Sequence, residues 1–351
     1  MKEKVFVVTN SSCGGAERVS LLYAKILHAA GFACKLLVMR PGERDFSLES
    51  FLPAEIECCV IRGNYYLTFF KLLNAIRKQK PDIVFTSSLK YGHMLMIMKF
   101  LKIICCKVVL RDCNMPSTHT RSRNLKTRVL YRFADVVIAQ TEEMKNEMLS
   151  YYSLPSSKVT VVHNPVDKSF IHKKIQEKFL FDERYLNYVA VGRILPQKDQ
   201  LTMLKAFKLV LQKQPNTRLY LIGGYKADYK SVLDDFIQEN KMSENVFFEG
   251  FQDNPFKYVA GADLFVLSSL YEGMPNVVLE AMYLGKPVAV THSIPYLKRI
   301  VHNGENGYSV DVKDHVALAE AMLKAQKIRN LPMYNDINHS EECILNLFNG
   351  V

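Results

Sequence analysis

Several patterns are missing from this chain of 351 residues, and each absence removes a class of function. The eight cysteines (Cys13, Cys34, Cys58, Cys59, Cys105, Cys106, Cys113, Cys343) include two adjacent pairs but no C-x-x-C, so neither a zinc site nor a disulfide framework is suggested. Apolar neighbours make most of them read as small core residues in a reducing compartment. No G-x-G-x-x-G occurs, which leaves a nicotinamide or flavin dinucleotide unindicated. No D-x-D occurs either, so no metal is expected. Met1 to Asn10 is too short an apolar run for a signal peptide. The longest apolar stretch, Met94 to Leu110, is cut by Lys99, Lys102 and Lys107 and is not expected to span a bilayer. These absences point to a cytoplasmic protein.

What is present is a large apolar fraction, 48%, in a length that predicts two domains with a core each. Forty-six Lys and Arg against 35 Asp and Glu leave a formal charge of +11, which favours anionic partners. No nucleic-acid motif accompanies the excess.

The stretch from Leu264 to Gly285 carries the most chemistry. Leu264 to Leu267 reads as a buried strand and Ser268 to Gly273 as a polar turn. Pro275 suits a first helical position, Val277, Val278, Ala281, Met282 and Leu284 form an apolar stripe, and Gly285 is placed to cap the end. Free amides at Asn276, Val277 and Val278 would then offer an anion site at the positive end of the helix. Glu272 stands just ahead of that helix, and Glu280, a turn and a half into it, is placed to accept from hydroxyls. Spacing alone leaves open an ordinary strand-loop-helix unit with both carboxylates solvated.

A second constellation lies at Gly192-Arg193-Ile194-Leu195-Pro196-Gln197-Lys198, after the strand Leu186 to Val191. Cations on both sides of a strand-to-helix turn would neutralise a diphosphate, each charge-assisted hydrogen bond contributing about 1.5 to 3 kcal/mol. Near the start, Lys4 to Val8 reads as a strand, followed by the glycine loop containing Gly14 and Gly15 and a helix from Ala16. Alternation of strands and helices continues, so a parallel sheet covered on both faces is expected, with the loop after Leu110 at its ligand-binding edge.

E-G-M-P-N-V-V-L-E-A-M, from Glu272 to Met282, resembles the E-x7-E signature of retaining glycosyltransferases with the GT-B fold, the large family 4-like group that builds bacterial surface glycans. G-R-x4-K at Gly192 to Lys198 strengthens the match, and the chain from Val5 to about Ala325 can be laid along the family's pattern. The resemblance implies two Rossmann-like, doubly wound domains facing a cleft, with boundaries expected at 1–164, a linker at 165–186, a donor domain at 187–328, and a segment 329–351 returning to the first domain. It implies catalytic roles for Glu272, Arg193 and Lys198. Donor contacts would come from Gly14, Gly15, Gly192, Phe251, Gly273, Met274, Asn276, Val277 and Glu280, and acceptor-side contacts from Asp112 and Asn114. Relatives often carry histidine after that acidic residue, whereas this chain has Cys113.

The expected activity is transfer, with retention, of a hexose or N-acetylhexosamine from a nucleotide sugar, taken as UDP-linked, to a lipid-linked, surface-polysaccharide or lipopolysaccharide glycan. The donor is a substrate, and no cofactor or divalent metal is expected because Arg193, Lys198 and helix amides would neutralise the leaving group. Arg121, Arg123, Lys126, Arg128 and Arg132, together with the aromatic and basic stretch Tyr65 to Lys80, suit an anionic membrane surface, which places the protein on the inner face of the membrane; solvated charges over core residues are the alternative. Two other functions share the architecture: a non-hydrolysing sugar-nucleotide epimerase, for which no convincing acid and base set is found, and a non-catalytic membrane-associated binding protein.

Overall fold

The computed structural model describes residues 3–12, 14–40, 51, 53–177, 179–329, 331 and 337–351. Cys13 and, within the segment 329–351, residues 330 and 332–336 therefore lie outside the described residues. The chain divides into two compact units, one of residues 1–165 and 335–351 and the other of residues 166–334.

The first unit is built on seven strands: β1 (Lys4–Asn10), β2 (Ala33–Arg40), β3 (Glu57–Arg62), β4 (Ile83–Thr86), β5 (Lys107–Arg111), β6 (Val136–Ala139) and β7 (Val159–Val161). All described pairings are parallel, in the order β3-β2-β1-β4-β5-β6-β7. A parallel strand covered on both faces has no polar side to present, and β4 accordingly reads Ile-Val-Phe-Thr with all four residues buried. Helices α1 (Gly15–Ala29), α2 (Tyr65–Gln79), α3 (Leu89–Phe100), α4 (Arg121–Leu130) and α5 (Glu142–Tyr152) make the connections. Side-chain caps start several of them: Asn64 accepts from the Leu67 amide and Thr141 from the Met144 amide.

The aromatic and basic stretch divides between core and surface. Helix α2 buries Thr68, Leu72 and Ile76, one face at helical spacing, and leaves Tyr65, Tyr66, Leu67 and Phe70 exposed. Helix α4 buries Asn124 and Thr127 and exposes Leu125 and Val129 among its cations.

The second unit begins with α6 (Lys168–Lys174) and continues through β8 (Leu186–Val191), α7 (Gln200–Lys213), β9 (Thr217–Ile222), α8 (Ala227–Glu239), β10 (Val246–Gly250), α9 (Phe256–Gly261), β11 (Leu264–Leu267), α10 (Asn276–Tyr283), β12 (Val288–Thr291), α11 (Pro295–Ile300), β13 (Gly307–Val310) and α12 (His315–Ala325). Its six strands run in parallel in the order β10-β9-β8-β11-β12-β13. One glycine is required here by sterics: a Cβ on Gly223, whose φ is +153°, would lie 2.0 Å from the Gly192 carbonyl oxygen, so the loops after β8 and β9 close on each other only because Gly223 has none. Helix α13 (Ile337–Gly350) belongs to the first unit, where the Phe348 ring meets Tyr23 at 6.4 Å between centroids.

Residues 165–186 carry more structure than a linker. Asp167 caps α6 through the Phe170 amide at 3.1 Å, and the Asn254 side-chain amide donates to the Lys174 carbonyl at 2.8 Å. Phe170 packs on Phe256, and Phe179 stacks on Tyr258 at 4.2 Å. The interspersed lysines and glutamates disguise this apolar anchoring, because the aromatic residues are too irregularly spaced to register as one helix or strand.

Candidate active site

In the second unit the strand order reverses between β8 and β11, and the loops leaving their C-terminal ends carry the polar side chains. The loop after β8 runs through Gly192 and Arg193 into a tight turn, Pro196–Lys198, and Asp199, at φ 47°, then caps α7 by accepting from the Thr202 amide. The loop after β11 runs from Ser268 to Gly273. Hydrogen bonds tie the two loops together. Ser268 donates to the Lys198 and Asp199 carbonyls at 2.8 and 2.9 Å, the Leu270 amide donates to the Gln197 carbonyl at 2.9 Å, and the Gln197 side chain donates to the Tyr271 carbonyl at 2.9 Å.

This lacing brings Lys198 and Glu272 into a direct ion pair whose side chains are only 17% and 10% exposed. Ser269 donates to the same Glu272 Oε1 at 2.7 Å, and the Glu272 amide donates to the Ser293 carbonyl at 3.1 Å. Lys198 and Glu272, 74 residues apart, are therefore one charged unit rather than two independent ligand contacts. Arg193 shares the Lys198 loop, is exposed, and has no acidic partner among the described residues. Gly192 and Gly273 precede and follow members of this group in the chain, Met274 is buried, and Phe251 lies exposed just after β10 on the same sheet edge.

The expected anion site at the α10 N-terminus needs correction. Pro275 stands at the N-cap, one position earlier than the sequence implied. The Asn276 amide donates to the Met274 carbonyl at 3.0 Å and the Val278 amide to the Pro275 carbonyl at 2.9 Å, so only the Val277 amide has no acceptor among the described residues. The turn closes on itself because Met274 is anchored in the core, which curls the chain back over the first helical amides. Glu280 lies half-buried on the same helix, and Gly285, at φ 66°, follows its C-cap Leu284.

The first unit contributes a cavity of about 280 Å³ at the C-terminal ends of β1, β4 and β5, lined among others by Glu17, Ser87, Lys90, Asp112, Asn114 and Arg123. Gly14 precedes α1 and Gly15 begins it, whereas their neighbours Ala16 and Glu17 reach the cavity wall. Glu17, Ser87 and Lys90 were not selected from the sequence, and Arg123, expected in the membrane-facing basic cluster, lines the cavity instead. The usable signal was topological: Ser87 and Lys90 follow β4, which flanks the reversal of strand order at β1.

Asp112 is buried at the cavity floor. Its Oδ1 accepts from the Cys113 amide at 3.0 Å and its Oδ2 from the Tyr152 hydroxyl at 3.4 Å, with His119 Nδ1 3.2 Å from the same hydroxyl. Burial pushes the Asp112 carboxyl up to about 6 against the opposing effect of these hydrogen bonds. The same cause pushes the Cys113 thiol up to about 11, so at neutral pH it is a thiol, with its sulfur 3.3 Å from the Ser87 carbonyl oxygen. Cys113 therefore offers neither a base nor a cation at this position. Beneath it Arg111 is buried, donating to Ser87 Oγ, Cys113 Sγ and Asn164 Oδ1.

Two doubly wound parallel-sheet units, each with its polar residues at a strand-order reversal, define a GT-B architecture. Residues 13–170 match the family described as Glycosyltransferase Family 4 and residues 172–340 match Glycosyl transferases group 1, and the chain belongs to the GT-B glycosyltransferases. An uncharacterized glycosyltransferase of Methanocaldococcus jannaschii is 30% identical over 239 residues, 63% of this chain and 58% of that protein. The N-acetylgalactosamine-N,N'-diacetylbacillosaminyl-diphospho-undecaprenol 4-alpha-N-acetylgalactosaminyltransferase of Campylobacter jejuni is 24% identical over 344 residues, 93% of this chain and 91% of that one. The fold is shared with Anabaena HepE in complex with UDP and glucose, at a TM-score of 0.79 and 20% identity over 99% of this chain and 100% of that one.

Burial of Asp112 generates a pH prediction. Its folded value, about 6, lies above the ordinary carboxylate value near 4, so the folded state holds the proton longer and stability from this group is lost as pH rises from about 4 through about 6. Asp112→Asn should match wild type near pH 4 and exceed it by about 2 to 3 kcal/mol at pH 7. His93 and His119, both pushed down to about 4 by burial, titrate in both proteins and cancel in the difference. Urea unfolding at a series of pH values measures this; a constant difference across the range would reject the buried-carboxyl account.

Proposed function

We propose that the protein transfers a hexose or N-acetylhexosamine, with retention, from a UDP-linked donor to a lipid-linked or surface-polysaccharide glycan. The observation that carries this reading is the group formed by Lys198, Glu272 and the neighbouring Arg193 where the strand order reverses. A lysine ammonium has three donors, and Glu272 and its surroundings occupy only part of that capacity, so Lys198 and Arg193 are suited to share the charge of a departing diphosphate. Glu272, held by Ser269, is suited to accept from the hydroxyls of the donor sugar. The acceptor hydroxyl would attack from the face the leaving group vacates, and stabilising that leaving group is the main catalytic contribution. The UDP complex of HepE supports the choice of nucleotide, and the name of the Campylobacter relative supports a diphospho-lipid-linked acceptor.

The first unit is the acceptor side in this reading, with Asp112 and Asn114 at its cavity. Among the described residues no helix is long and apolar enough to cross a membrane. Attachment would instead come from the surface of the first unit, where Tyr66 is 75%, Phe70 64%, Leu125 62% and Val129 54% exposed beside Lys71, Lys126 and Arg128. Amphipathic aromatic side chains and cations together fit the inner face of an anionic membrane.

Arg193→Ala and Lys198→Ala should each weaken UDP binding about tenfold or more, the loss of one charge-assisted contact. Calorimetric titration checks this, and unchanged affinity in both variants would remove the diphosphate assignment. Donor turnover should persist in excess EDTA, since the two cations do the work a metal would do; restoration by magnesium or manganese of an activity abolished by EDTA would reject metal independence. The protein should sediment with vesicles containing anionic lipid at low salt and be released as salt rises, each surface-proximal cation contributing about 1 kcal/mol. Equal, weak binding to neutral and anionic vesicles would leave a water-borne acceptor as the better reading.

A further inference from the structure

Outside the residues already assigned, one hydrogen-bonded chain in the second unit ends at Glu272. His292 follows β12 and lies between two partners: its Nδ1 is 3.0 Å from Asp311 Oδ1 and its Nε2 is 2.9 Å from Ser309 Oγ, both on or just beyond β13. Its neighbours on either side grip the loop after β11. Thr291 donates through its hydroxyl to the Ser269 carbonyl at 2.7 Å, and the Ser293 carbonyl accepts the Glu272 amide at 3.1 Å. The two ends of the turn Ser269 to Glu272 are therefore held by the residues immediately before and after His292.

We propose that His292 is a positioning residue: anchored to Ser309 and Asp311, it fixes the Thr291 to Ser293 segment and so sets the orientation of Glu272 toward a bound donor. The proposal rests on the reading of Glu272 as a donor contact, but its structural half stands without it. Losing the imidazole removes the side-chain ties to Ser309 and Asp311; Thr291 stays paired with Val310 in the β12–β13 ladder and the His292 amide stays on the Val310 carbonyl, so the support weakened most is the Ser293 contact to the Glu272 amide. The same three residue types, Asp, His and Ser, serve as a nucleophilic relay in acyl transfer. Here the Asp311 carboxylate is 83% exposed while His292 is 18% exposed, so the pair lies in solvent-screened surroundings that suit an anchor better than a charge-stabilising relay.

Hydrogen exchange on the full-length, nucleotide-free protein tests it. In His292→Ala, the amides of residues 268–273 should exchange roughly fivefold faster, as expected for a local opening, with the β-strands of the unit unchanged. His292→Gln, which can still reach Ser309, should restore part of the protection, and Ser309→Ala should reproduce the effect at smaller size even where His292→Ala folds poorly. Leu233→Ala, which empties a buried site elsewhere in the unit, should lower the unfolding midpoint without this local signature. Unchanged exchange at 268–273 in both the His292→Ala and Ser309→Ala proteins, or an equal local rise in Leu233→Ala, overturns the proposal. So does labelling of Ser309 by a fluorophosphonate, which would make it a nucleophile. These results decide the anchor whether or not the wild type binds UDP; where it does, weaker UDP binding in His292→Ala with restoration in His292→Gln extends the effect to the site.

Discussion

Parallel pairing is the constraint from which the placement of every candidate residue follows. Each described strand of both units runs in the same direction as its neighbours, so the chain must return to the starting edge between strands, and right-handed crossovers distribute those returns over both sheet faces. All segments leaving the C-terminal strand ends then emerge on one edge. Where the order reverses, at β1 and β4 in the first unit and at β8 and β11 in the second, successive crossovers diverge to opposite faces and leave space for a ligand. Asp112, Ser87, Lys198 and Glu272 come from loops at or next to those reversals, although their sequence neighbours have little in common.

The two units solve the problem of a polar group in a largely dry setting differently. In the second, Lys198 and Glu272 neutralise each other. Taking two charges out of water costs several kcal/mol per ion, and the close pairing together with the Ser269 hydroxyl offsets much of it. The result is a lysine held in place before any ligand arrives, beside an arginine that remains open to solvent. Such preorganisation lowers the reorganisation needed when charge develops on a leaving group.

In the first unit the buried groups are not matched as opposite charges. Asp112 responds to burial by holding its proton up to about pH 6, and the Arg111 guanidinium donates to neutral acceptors on Ser87, Cys113 and Asn164. Asn164 stands just before the boundary between the units at Pro165 and Val166, so the same arginine that supports the cavity floor also secures the chain where it leaves the first unit. A thiol at position 113 is compatible with this arrangement because it stays neutral next to both.

How much of this was legible in the sequence depended on how local its cause is. Strand and helix alternation, the cap at Gly285 and the identity of Arg193, Lys198 and Glu272 as chemically interesting residues all follow from periodicity, backbone preference and motif spacing within windows of a few residues. The sequence alone also determined that the glycines at positions 14 and 15 lie where the first strand gives way to the first helix. Only the tertiary structure decided that Lys198 and Glu272 pair across 74 positions, that Met274 folds the chain over two of the three helix amides expected to be free, and that residues 165–186 are anchored by Phe170 and Phe179. The short elements β13 and α11 were missed for the same reason. Their stability comes from pairing with β12 and from burial of Tyr296, Leu297 and Ile300, interactions with partners that no local pattern announces. Ionisation was likewise decided in three dimensions: a carboxyl next to a cysteine is ordinary in sequence, and it is desolvation by residues distant along the chain that makes Asp112 a weak acid.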